Sequence, residues 1–497
     1  MERLFEQLER YGESDIYPCH MPGHKRQGMG ALPKQLARLD ITEIEGFDNL
    51  HQPQGILRNL QQYAAQVYGA EETFYLVNGS TCGILSAISA AVPMGGRLLI
   101  ARNCHKSVYH GAYLRCLRLS YLYPALVPEA GICEAISPQQ VQEALEREPD
   151  INGVLIVSPT YEGRIAEVEE IARIVHSHGI PLIVDEAHGA HLGFHPAFAE
   201  GSSRAGADLV VASVHKTLPA MTQTALLHVN GTLVDRRLVR RFLQIYQSSS
   251  PSYVLMASID NAIHLAAEEG EQLFSGMLEN WDHMLRELSA CRSLTIWPPA
   301  SLERTEYQRH QDIGKLVISV KKTEISGKQL YRELLEKYGL QMEMVCQDYV
   351  LAMFTIADCP QGYERLTKAL LEIDERIAQA GSGRILQAGT GWGKRPESGE
   401  ALRHRDSRTL SECWDQPVEW RALKNAVDRY AGEFVCIYPP GTPILVPGER
   451  LEETQRQLIE QCLADGLEVQ GITRQDEEWG LLVLTEITHA GEPERRK

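Results

Sequence analysis

A single lysine, Lys216, lies in a stretch where an amine could become reactive. The apolar run over residues 207–212 predicts a buried strand, which ends in the polar turn Ser213-Val214-His215-Lys216 before a second apolar run begins at Thr224. Most lysines keep their ammonium group in water, so one placed between two buried strands suggests a special role. A lysine shielded from water can lose its proton and attack a carbonyl carbon, which is the Schiff-base role. The alternative is an ordinary lysine in an exposed turn.

Polar residues also follow several other predicted strands. Between residues 57 and 250 the strands alternate with helices and are almost continuously apolar, which is typical of an α/β fold with a parallel sheet covered on both faces. Such open sheets bind ligands beyond the carboxyl ends of their strands. The residues expected to gather along that edge with Lys216 are Ser80, His105, Tyr161 and Asp185.

A carboxylate, a dry lysine and a turn of small polar residues together match the needs of pyridoxal phosphate. This cofactor requires a lysine for its aldehyde, a carboxylate for its ring nitrogen and an anion cradle for its phosphate. Lys216 and Asp185 would supply the first two, and His105 could stack on the face of the ring. Taken singly, Asp185 is more easily explained as a helix cap and His105 as a loop histidine, but their joint order along the chain favours the cofactor.

The phosphate cradle is predicted at residues 78–83, where a short strand turns into a helix rich in Ala, Ile and Leu. Backbone N–H groups and hydroxyls at a helix N-terminus bind anions, although short turns of Gly and Ser also arise for packing reasons. Ser80 and Thr81 in this turn, with Ser213 and His215 before the lysine, are the candidate phosphate ligands.

Metal and hydrolase sites fit the sequence less well. His188 and His191, with or without Asp185, could chelate zinc from a helix, but Gly189 and the preceding strand end favour a loop. No cysteine or third histidine lies at ligand spacing, so we expect no metal. The sequence also lacks the G-x-S-x-G elbow of serine hydrolases.

The composition limits the partners and the compartment. Of 497 residues, 43% are hydrophobic and 23% are charged, which describes an ordinary globular protein of two to four domains. The net charge of −17 argues against nucleic acid and anionic membranes as partners. The N-terminus has no apolar core typical of a signal peptide, no apolar run reaches membrane-spanning length, and the 11 cysteines form no C-x-x-C pair. These features predict a cytoplasmic protein with reduced thiols.

The pattern of elements predicts five segments. They are an N-terminal arm (1–60), a large cofactor-binding domain (61–290), a small α+β domain (291–380), a linker (381–416) and a C-terminal α+β domain (417–497). Residues 389–394 within the linker are similar to a P-loop, but residue 388 is alanine where glycine is needed and Arg395 replaces Ser or Thr.

Eight motifs in order along the chain resemble the bacterial ornithine/lysine/arginine decarboxylase family of fold-type I pyridoxal-phosphate enzymes. The similarity covers nearly the whole chain. The motifs are HMPGHKR (20–26), DITEIEGFDNLHQPQG (40–55), NGST (78–81), RNCHKSVYHG (102–111), SPTYEG (158–163), DEAHGAH (185–191), SVHKTLPAMTQ (213–223) and YPPGTPILVPGE (438–449).

The resemblance implies a fold-type I large domain and roles for three residues: Lys216 forms the Schiff base, Asp185 contacts the pyridine nitrogen and His105 contacts the ring. It also implies a homodimer with shared active sites, because the SSSPSY stretch (248–253) is similar to a family segment that reaches the partner's phosphate. Ser248 and His188 therefore join the candidate cofactor ligands. The candidate substrate residues are His24, Asp48, Tyr161 and Glu449.

Two departures from the family pattern are visible. Large inducible members carry a flavodoxin-like domain before the HMPGH motif and form rings of dimers, whereas this sequence begins almost at that motif. It is therefore expected to be a short form, for which a decamer is not expected. The phosphate turn, commonly Gly-Thr-Ser in the family, is Gly79-Ser80-Thr81 here, so the hydroxyls are kept in exchanged positions.

The implied reaction is α-decarboxylation of a basic amino acid, with arginine as the first candidate substrate and lysine or ornithine next. The product would be a polyamine or its precursor, plus CO₂. An aminotransferase or acyl-transferase is the alternative with the same cofactor, and it would release no CO₂ and leave HMPGH and YPPG unexplained. A non-catalytic polyamine-binding protein is the alternative outside enzymes, and its biological effect would survive Lys216→Ala.

Overall fold

The computed structural model describes residues 2–303, 305, 309–380, 409–437 and 441–485. Strands and helices alternate along the first part of the chain, as the sequence predicts. In chain order this part contains α1 Leu4–Glu13, α2 Lys34–Leu39, α3 Ile56–Tyr68, β1 Glu72–Leu76, α4 Gly79–Ala91, β2 Arg97–Ala101, α5 Lys106–Leu114, β3 Arg118–Leu122, β4 Leu126–Val127, β5 Ile132–Cys133, α6 Pro138–Arg147, β6 Gly153–Val157, α7 Val168–Ser177, β7 Leu182–Asp185, β8 Leu209–Ala212, α8 Val214–Thr217, β9 Ala225–Val229, α9 Arg236–Tyr246 and α10 Tyr253–Leu288.

Seven strands form the large sheet in the order β1-β9-β8-β7-β6-β2-β3. The pairs β8–β7, β7–β6, β6–β2 and β2–β3 are parallel, whereas β9 is antiparallel to both of its neighbours. The sheet is therefore mixed at one side. Because β9 returns directly beside β8, the turn that carries Lys216 lies at the carboxyl end of β8, on the edge that the other polar loops share.

Helices cover both faces of this sheet, which explains why its strands are apolar throughout. Alternate strand residues such as Leu155, Ile183 and Val211 pack with α4, α5 and α9. Their neighbours Val154 and Val184 pack with α6 and α7 on the opposite face. With both faces buried, polar side chains remain at the strand ends, where the candidate site lies.

A second, four-stranded antiparallel sheet follows the long helix α10, in the order β10-β11-β13-β12. Leu316 and Ile318 of this sheet share one hydrophobic core with α1, α3 and α10. Its elements are β10 Thr295–Trp297, β11 Lys315–Ser319, α11 Gly327–Tyr338, β12 Met344–Val345, β13 Tyr349–Met353 and α12 Pro360–Ala380.

The described C-terminal residues form two three-stranded sheets, β14-β19-β18 and β16-β15-β17, with one longer helix. Leu445, Leu451 and Ile459 are in their core. The elements are α13 Leu410–Trp414, β14 Val418–Ala422, a 3₁₀ turn Leu423–Asn425, β15 Val435–Ile437, β16 Thr442–Leu445, α14 Glu453–Ala464, β17 Val469–Gln470, β18 Ile472–Gln475 and β19 Glu478–Leu484.

Parts of the predicted linker and of the C-terminal motif lie outside the described residues: the P-loop-like segment 389–394 and residues 438–440. The end of the predicted linker differs from expectation, because α13 forms there. Thr409 and Glu412 make a reciprocal capping box at its start, and Trp414 packs edge-on against Phe434. The division into domains remains a prediction.

Among the described residues, no helix combines the length and the apolar character needed to cross a membrane.

Candidate active site

Lys216 lies in the one-turn helix α8, which is fixed to the start of β9 by two hydrogen bonds. The backbone N–H of Val214 donates to the carbonyl oxygen of Thr224 over 3.1 Å, and Nδ1 of His215 donates to the same oxygen over 2.8 Å. The Nζ atom of Lys216 lies 3.1 Å from Nε2 of His188. The reactive lysine predicted from the sequence is thus held in a tight turn against a buried imidazole.

Asp185 is the last residue of β7 and is buried beside the lysine turn. One of its carboxylate oxygens accepts a hydrogen bond from the N–H of Ala187 over 3.2 Å. Burial raises the pKa of Asp185, and the nearby charge of Lys216 opposes that rise. Burial likewise lowers the pKa of Lys216, against the opposing effects of Asp185 and Glu343. Each group therefore loses part of its preference for the charged form.

His105 caps α5 and is held in one tautomer. Its Nδ1 accepts a hydrogen bond from the N–H of Ser107 over 3.2 Å, so the ring proton resides on Nε2. Burial, followed by the charges of Lys216 and Lys106, lowers the pKa of His105 to about 4. His105 is therefore a neutral ring at physiological pH.

The predicted phosphate turn is tied directly to the lysine turn. The N–H of Gly79, at φ +74°, donates to the carbonyl oxygen of Gln223 over 2.8 Å. Ser80 and Thr81 lie in the first turn of α4, which begins at Gly79. The backbone N–H groups of this turn therefore face the same edge as the lysine.

Ser248 lies beside this turn within its own chain. Its N–H donates to Oδ1 of Asn78 over 3.1 Å, and its carbonyl oxygen is 2.8 Å from Nε2 of His51. The predicted reach of this segment into a partner subunit is not tested by a single chain and remains a prediction.

His188 and Tyr161 complete the group that the structure brings together. Their ring centroids are 4.4 Å apart, and the Tyr161 hydroxyl donates to the Glu343 carboxylate over 2.5 Å. Burial, followed by the charges of Lys216 and Lys315, keeps the pKa of His188 well below its usual value. His188 is thus a neutral imidazole between two lysines.

Three predicted substrate residues have partners elsewhere. Nε2 of His24 lies 3.1 Å from Asp40. The Asp48 carboxylate accepts from several backbone N–H groups around the start of α3, including that of Gly55 over 2.7 Å. The assignments of His24, Asp48 and Glu449 to the substrate remain untested predictions.

Glu449 forms a largely buried ion pair. Its carboxylate accepts from Arg102 over 2.9 Å and from the N–H of Val446 over 3.0 Å. Arg102 follows β2 and also donates to the carbonyl oxygens of Pro443 and Ile444 over 2.7 and 3.1 Å. The structural role of Glu449 is to anchor the C-terminal segment near the His105 loop.

Two residues of this site were missed from the sequence: Lys315 and Glu343. Lys315 begins β11 and is about 1% exposed, yet in the sequence it precedes the apolar run LVISV as any strand-flanking lysine would. Its Nζ lies 3.2 Å from Nδ1 of His188. Both residues reach the site from the four-stranded sheet, about 100 residues or more along the chain from Lys216. No local sequence pattern predicts their contacts with His188 and Tyr161.

The donor set fits pyridoxal phosphate. A protonated ring nitrogen would offset the unfavourable burial of the Asp185 carboxylate. The hydroxyl oxygen of Ser213, at the start of the lysine turn, is buried and has no hydrogen-bond partner among the described residues, so a phosphate or a bound water would supply one. The neutral ring of His105 suits an aromatic neighbour. The lysine, the carboxylate, the neutral ring and the predicted anion cradle therefore lie along one edge of one sheet.

Two protein-family models and a similar protein of known name agree on the family of this sequence. The model of the Orn/Lys/Arg decarboxylase major domain matches residues 3–338, and the model of the C-terminal domain of the same family matches residues 401–464. An arginine decarboxylase of Bacillus anthracis is 31% identical over 477 residues, covering 94% of each chain.

Solved structures agree on the fold. A lysine decarboxylase of Francisella novicida is similar with a TM-score of 0.80 and 17% identity, over 97% of this chain and 81% of that one. A serine palmitoyltransferase of Sphingomonas wittichii is similar with a TM-score of 0.51 and 17% identity, over 65% of this chain and 77% of that one.

Proposed function

The chain belongs to the Orn/Lys/Arg decarboxylase family, and on that premise we propose that it releases CO₂ from the α-carboxyl group of arginine with pyridoxal phosphate as its cofactor. The family and the fold-type I architecture predicted from the motifs are confirmed, and the protein is an amino-acid decarboxylase. The observation that carries the proposal is the contact of Lys216 with neutral His188, directly beside the buried Asp185.

Each of these side chains would contact a different part of the cofactor. Pyridoxal phosphate supplies, when bound, a ring that accepts the electron pair left on Cα as CO₂ departs. Lys216 would hold its aldehyde carbon, and Asp185 would keep a proton on its ring nitrogen. His105 would cover the ring face. The phosphate would be held by the first turn of α4, with Ser80, Thr81, Ser213, His215 and Ser248 as its candidate ligands.

Glu343 is the carboxylate that we assign to the distal cation of the substrate. It lies immediately before β12, is exposed, and is held by the Tyr161 hydroxyl over 2.5 Å. Glu343 is also close enough to Lys216 to act on the pKa of its ammonium group. A guanidinium group binds a carboxylate through parallel hydrogen bonds, which suits an accessible glutamate oriented by one tyrosine.

Arginine is preferred over lysine and ornithine for one reason. A relative that matches nearly the whole chain at 31% identity is an arginine decarboxylase. The lysine decarboxylase structure, at 17% identity, supports the fold alone.

A homodimer and a cytoplasmic location are also part of the proposal. The dimer is supported by the SSSPSY stretch, which follows α9 and lies beside the phosphate turn through the contact of Ser248 with Asn78. The location is supported by 11 cysteines that are all free thiols.

The test supplies purified protein and pyridoxal phosphate with carboxyl-labelled arginine, lysine and ornithine in parallel. We expect labelled CO₂ from arginine at the highest kcat/KM and none from Lys216→Ala with any of the three. A preference for lysine or ornithine would overturn the substrate assignment. If the protein binds pyridoxal phosphate but releases CO₂ from none of the three amino acids, the decarboxylase assignment fails and a transferase of the same fold becomes the hypothesis to test.

A further inference from the structure

Lys315 is the second lysine of the active site and the more deeply buried of the two. Its side chain is about 1% exposed, and its Nζ lies 3.8 Å from Oδ2 of Asp312. The loop of the SPTYEG motif covers its stem so closely that a Cβ on Gly163 would come within 2.9 Å of Cβ and Cγ of Lys315. Asp312 is fixed in turn by His191, whose Nε2 lies 2.6 Å from its carboxylate. Lys315 is therefore packed and held in one position.

His188 bridges the two lysines through its two ring nitrogens. Nδ1 lies 3.2 Å from Nζ of Lys315, and Nε2 lies 3.1 Å from Nζ of Lys216. A neutral imidazole has one N–H donor and one acceptor, and an ammonium group can only donate. Two ammonium groups therefore cannot both bond to this ring, so one of the lysines must accept a hydrogen bond as a neutral amine.

The surroundings decide which lysine is neutral. Asp312 provides Lys315 with a carboxylate at ion-pair distance, whereas no acidic oxygen of the described residues forms an ion pair within 4 Å of Lys216. The ionisable groups facing the three side chains from neighbouring elements are His105, Asp185, Glu162, Tyr161, His215, Asp312 and Glu343. Burial lowers the pKa of both lysines. Asp312 opposes this shift for Lys315 at ion-pair distance, whereas Asp185 and Glu343 oppose it for Lys216 only through space.

We propose that Lys315 is a positioning residue that fixes the tautomer of His188, so that its Nε2–H donates to Lys216 and holds Lys216 as a neutral amine. The ammonium of Lys315 donates to Nδ1 of His188, which leaves the ring proton on Nε2. A neutral amine has the lone pair that attacks the aldehyde carbon of the cofactor. This inference rests on the proposed function, because it assigns Lys216 to the cofactor aldehyde. The protonation of Lys216 can nevertheless be measured without decarboxylation.

The test measures the ionisation of Lys216 in the full-length protein freed of cofactor. Trace acetic anhydride acetylates neutral amines, with acetate leaving and the proton passing to solvent, and mass spectrometry of the Lys216 peptide over a pH series gives its titration curve. We expect the wild-type curve to lie well below the ordinary lysine value. In Lys315→Met, which lacks both donor and charge, labelling of Lys216 at pH 7.5 should fall about tenfold or more.

Two further variants separate the hydrogen bond from the charge and from general damage. Lys315→Gln keeps an N–H donor for Nδ1 without the charge and should label Lys216 much faster than Lys315→Met. Lys321→Met removes an ammonium that donates to the carbonyl oxygen of Pro128, away from His188, and should match the wild type. The rate of pyridoxal phosphate uptake, followed by absorbance, should rank the variants in the same order.

Three results would overturn the inference: an ordinary lysine titration for Lys216 in the wild type, unchanged labelling in Lys315→Met, or Lys315→Gln behaving like Lys315→Met. An ordinary wild-type titration curve would overturn the inference even where a variant does not fold. A protein that shows the expected titration but releases no CO₂ from arginine would leave this inference standing and refute the proposed function.

Discussion

At the scale of single residues, the site is built from groups whose charged forms are disfavoured by burial. Asp185 is 5% exposed and its pKa is raised, so the carboxylate is kept in place at a cost to stability. Asp208, immediately before β8 of the same sheet, is 3% exposed but accepts hydrogen bonds from His176 and from the N–H of Leu182, both over 2.8 Å. We infer that Asp208 stabilises the fold through these hydrogen bonds, whereas Asp185 is retained for its role with the cofactor.

The Asp185→Asn variant should therefore be more stable than the wild type but much less active. Because the pKa of Asp185 is higher in the folded protein than in the unfolded chain, the unfolded chain loses this proton at a lower pH. The free energy of unfolding therefore falls as pH rises from the unfolded pKa to the folded pKa. At pH 7 the variant without cofactor should be more stable than the wild type, while kcat falls by about 100-fold or more because the ring nitrogen loses its anionic partner.

Urea unfolding and labelled CO₂ release measure the two effects. Asp208→Asn is the matched control, and it should lose stability with little change in kcat. A less stable Asp185→Asn protein with full activity would contradict the role given to Asp185.

Glu343→Gln tests the assignment of the distal cation. Losing a charged acceptor for the guanidinium should lower kcat/KM for arginine by roughly 10- to 100-fold, mainly through KM. Tyr161→Phe should give a smaller loss, since Glu343 would keep its charge but lose its hydroxyl donor. Glu336→Gln, an exposed glutamate on α11, is the control. Steady-state kinetics in which Glu343→Gln matches that control would return the role to Asp48 or Glu449.

At the scale of elements, the strand ends were predictable and the long-range contacts were not. Apolar runs place Asp185 and Lys216 at the ends of β7 and β8, because both faces of a parallel sheet must be covered. Nothing local shows that β9 returns antiparallel, that Lys315 leads a strand into the site, or that Arg102 neutralises Glu449. The last two depend on packing between segments more than 100 residues apart, where sequence periodicity carries no signal. The return of β9 beside β8 spans only about 20 residues, but its direction depends on the turn between the two strands.

The β1–β9 pair contains a buried histidine that makes the sheet sensitive to acid. His228 lies opposite Thr73, whose hydroxyl is 2.8 Å from Nδ1, and burial lowers the pKa of His228 to about 3. The unfolded chain takes up a proton below about pH 6.5 and the folded chain does not until about pH 3, so stability falls as pH falls between these values.

Replacing the pair by Thr73→Val with His228→Leu should remove this acid sensitivity. Between pH 7 and pH 4 the double variant should lose about 3 kcal/mol less stability than the wild type. Urea unfolding at the two pH values measures the difference, with His283→Gln on the exposed side of α10 as control. Equal acid losses in the wild type and the double variant would show that His228 does not resist protonation.

At the scale of the whole molecule, the C-terminal segment is attached to the large sheet next to the cofactor edge. Arg102 binds Pro443, Ile444 and Glu449, and the Tyr113 hydroxyl donates to Asp415 over 2.7 Å. The loop between Arg102 and His105 is therefore shared by the anchor and the active site. Movement of the C-terminal segment is expected to disturb the position of His105.

Arg102→Met should loosen this attachment. Leaving Glu449 largely buried without its cation should cost about 3 kcal/mol and speed protease cleavage within residues 409–485, with a moderate loss of activity. Adding Glu449→Gln to Arg102→Met should recover part of the stability, which a double-mutant cycle measures. Unchanged proteolysis in Arg102→Met would show that the anchor does not hold the segment.

The identity of the cofactor lysine is the central claim, because two lysines, the half-buried Lys216 and the buried Lys315, contact the same imidazole. The direct measurement is borohydride reduction of the protein loaded with pyridoxal phosphate, followed by peptide mass spectrometry. We predict a phosphopyridoxyl group on Lys216 alone, and its absence in Lys216→Ala. A phosphopyridoxyl group on Lys315, or labelling that persists in Lys216→Ala, would contradict this account of the site.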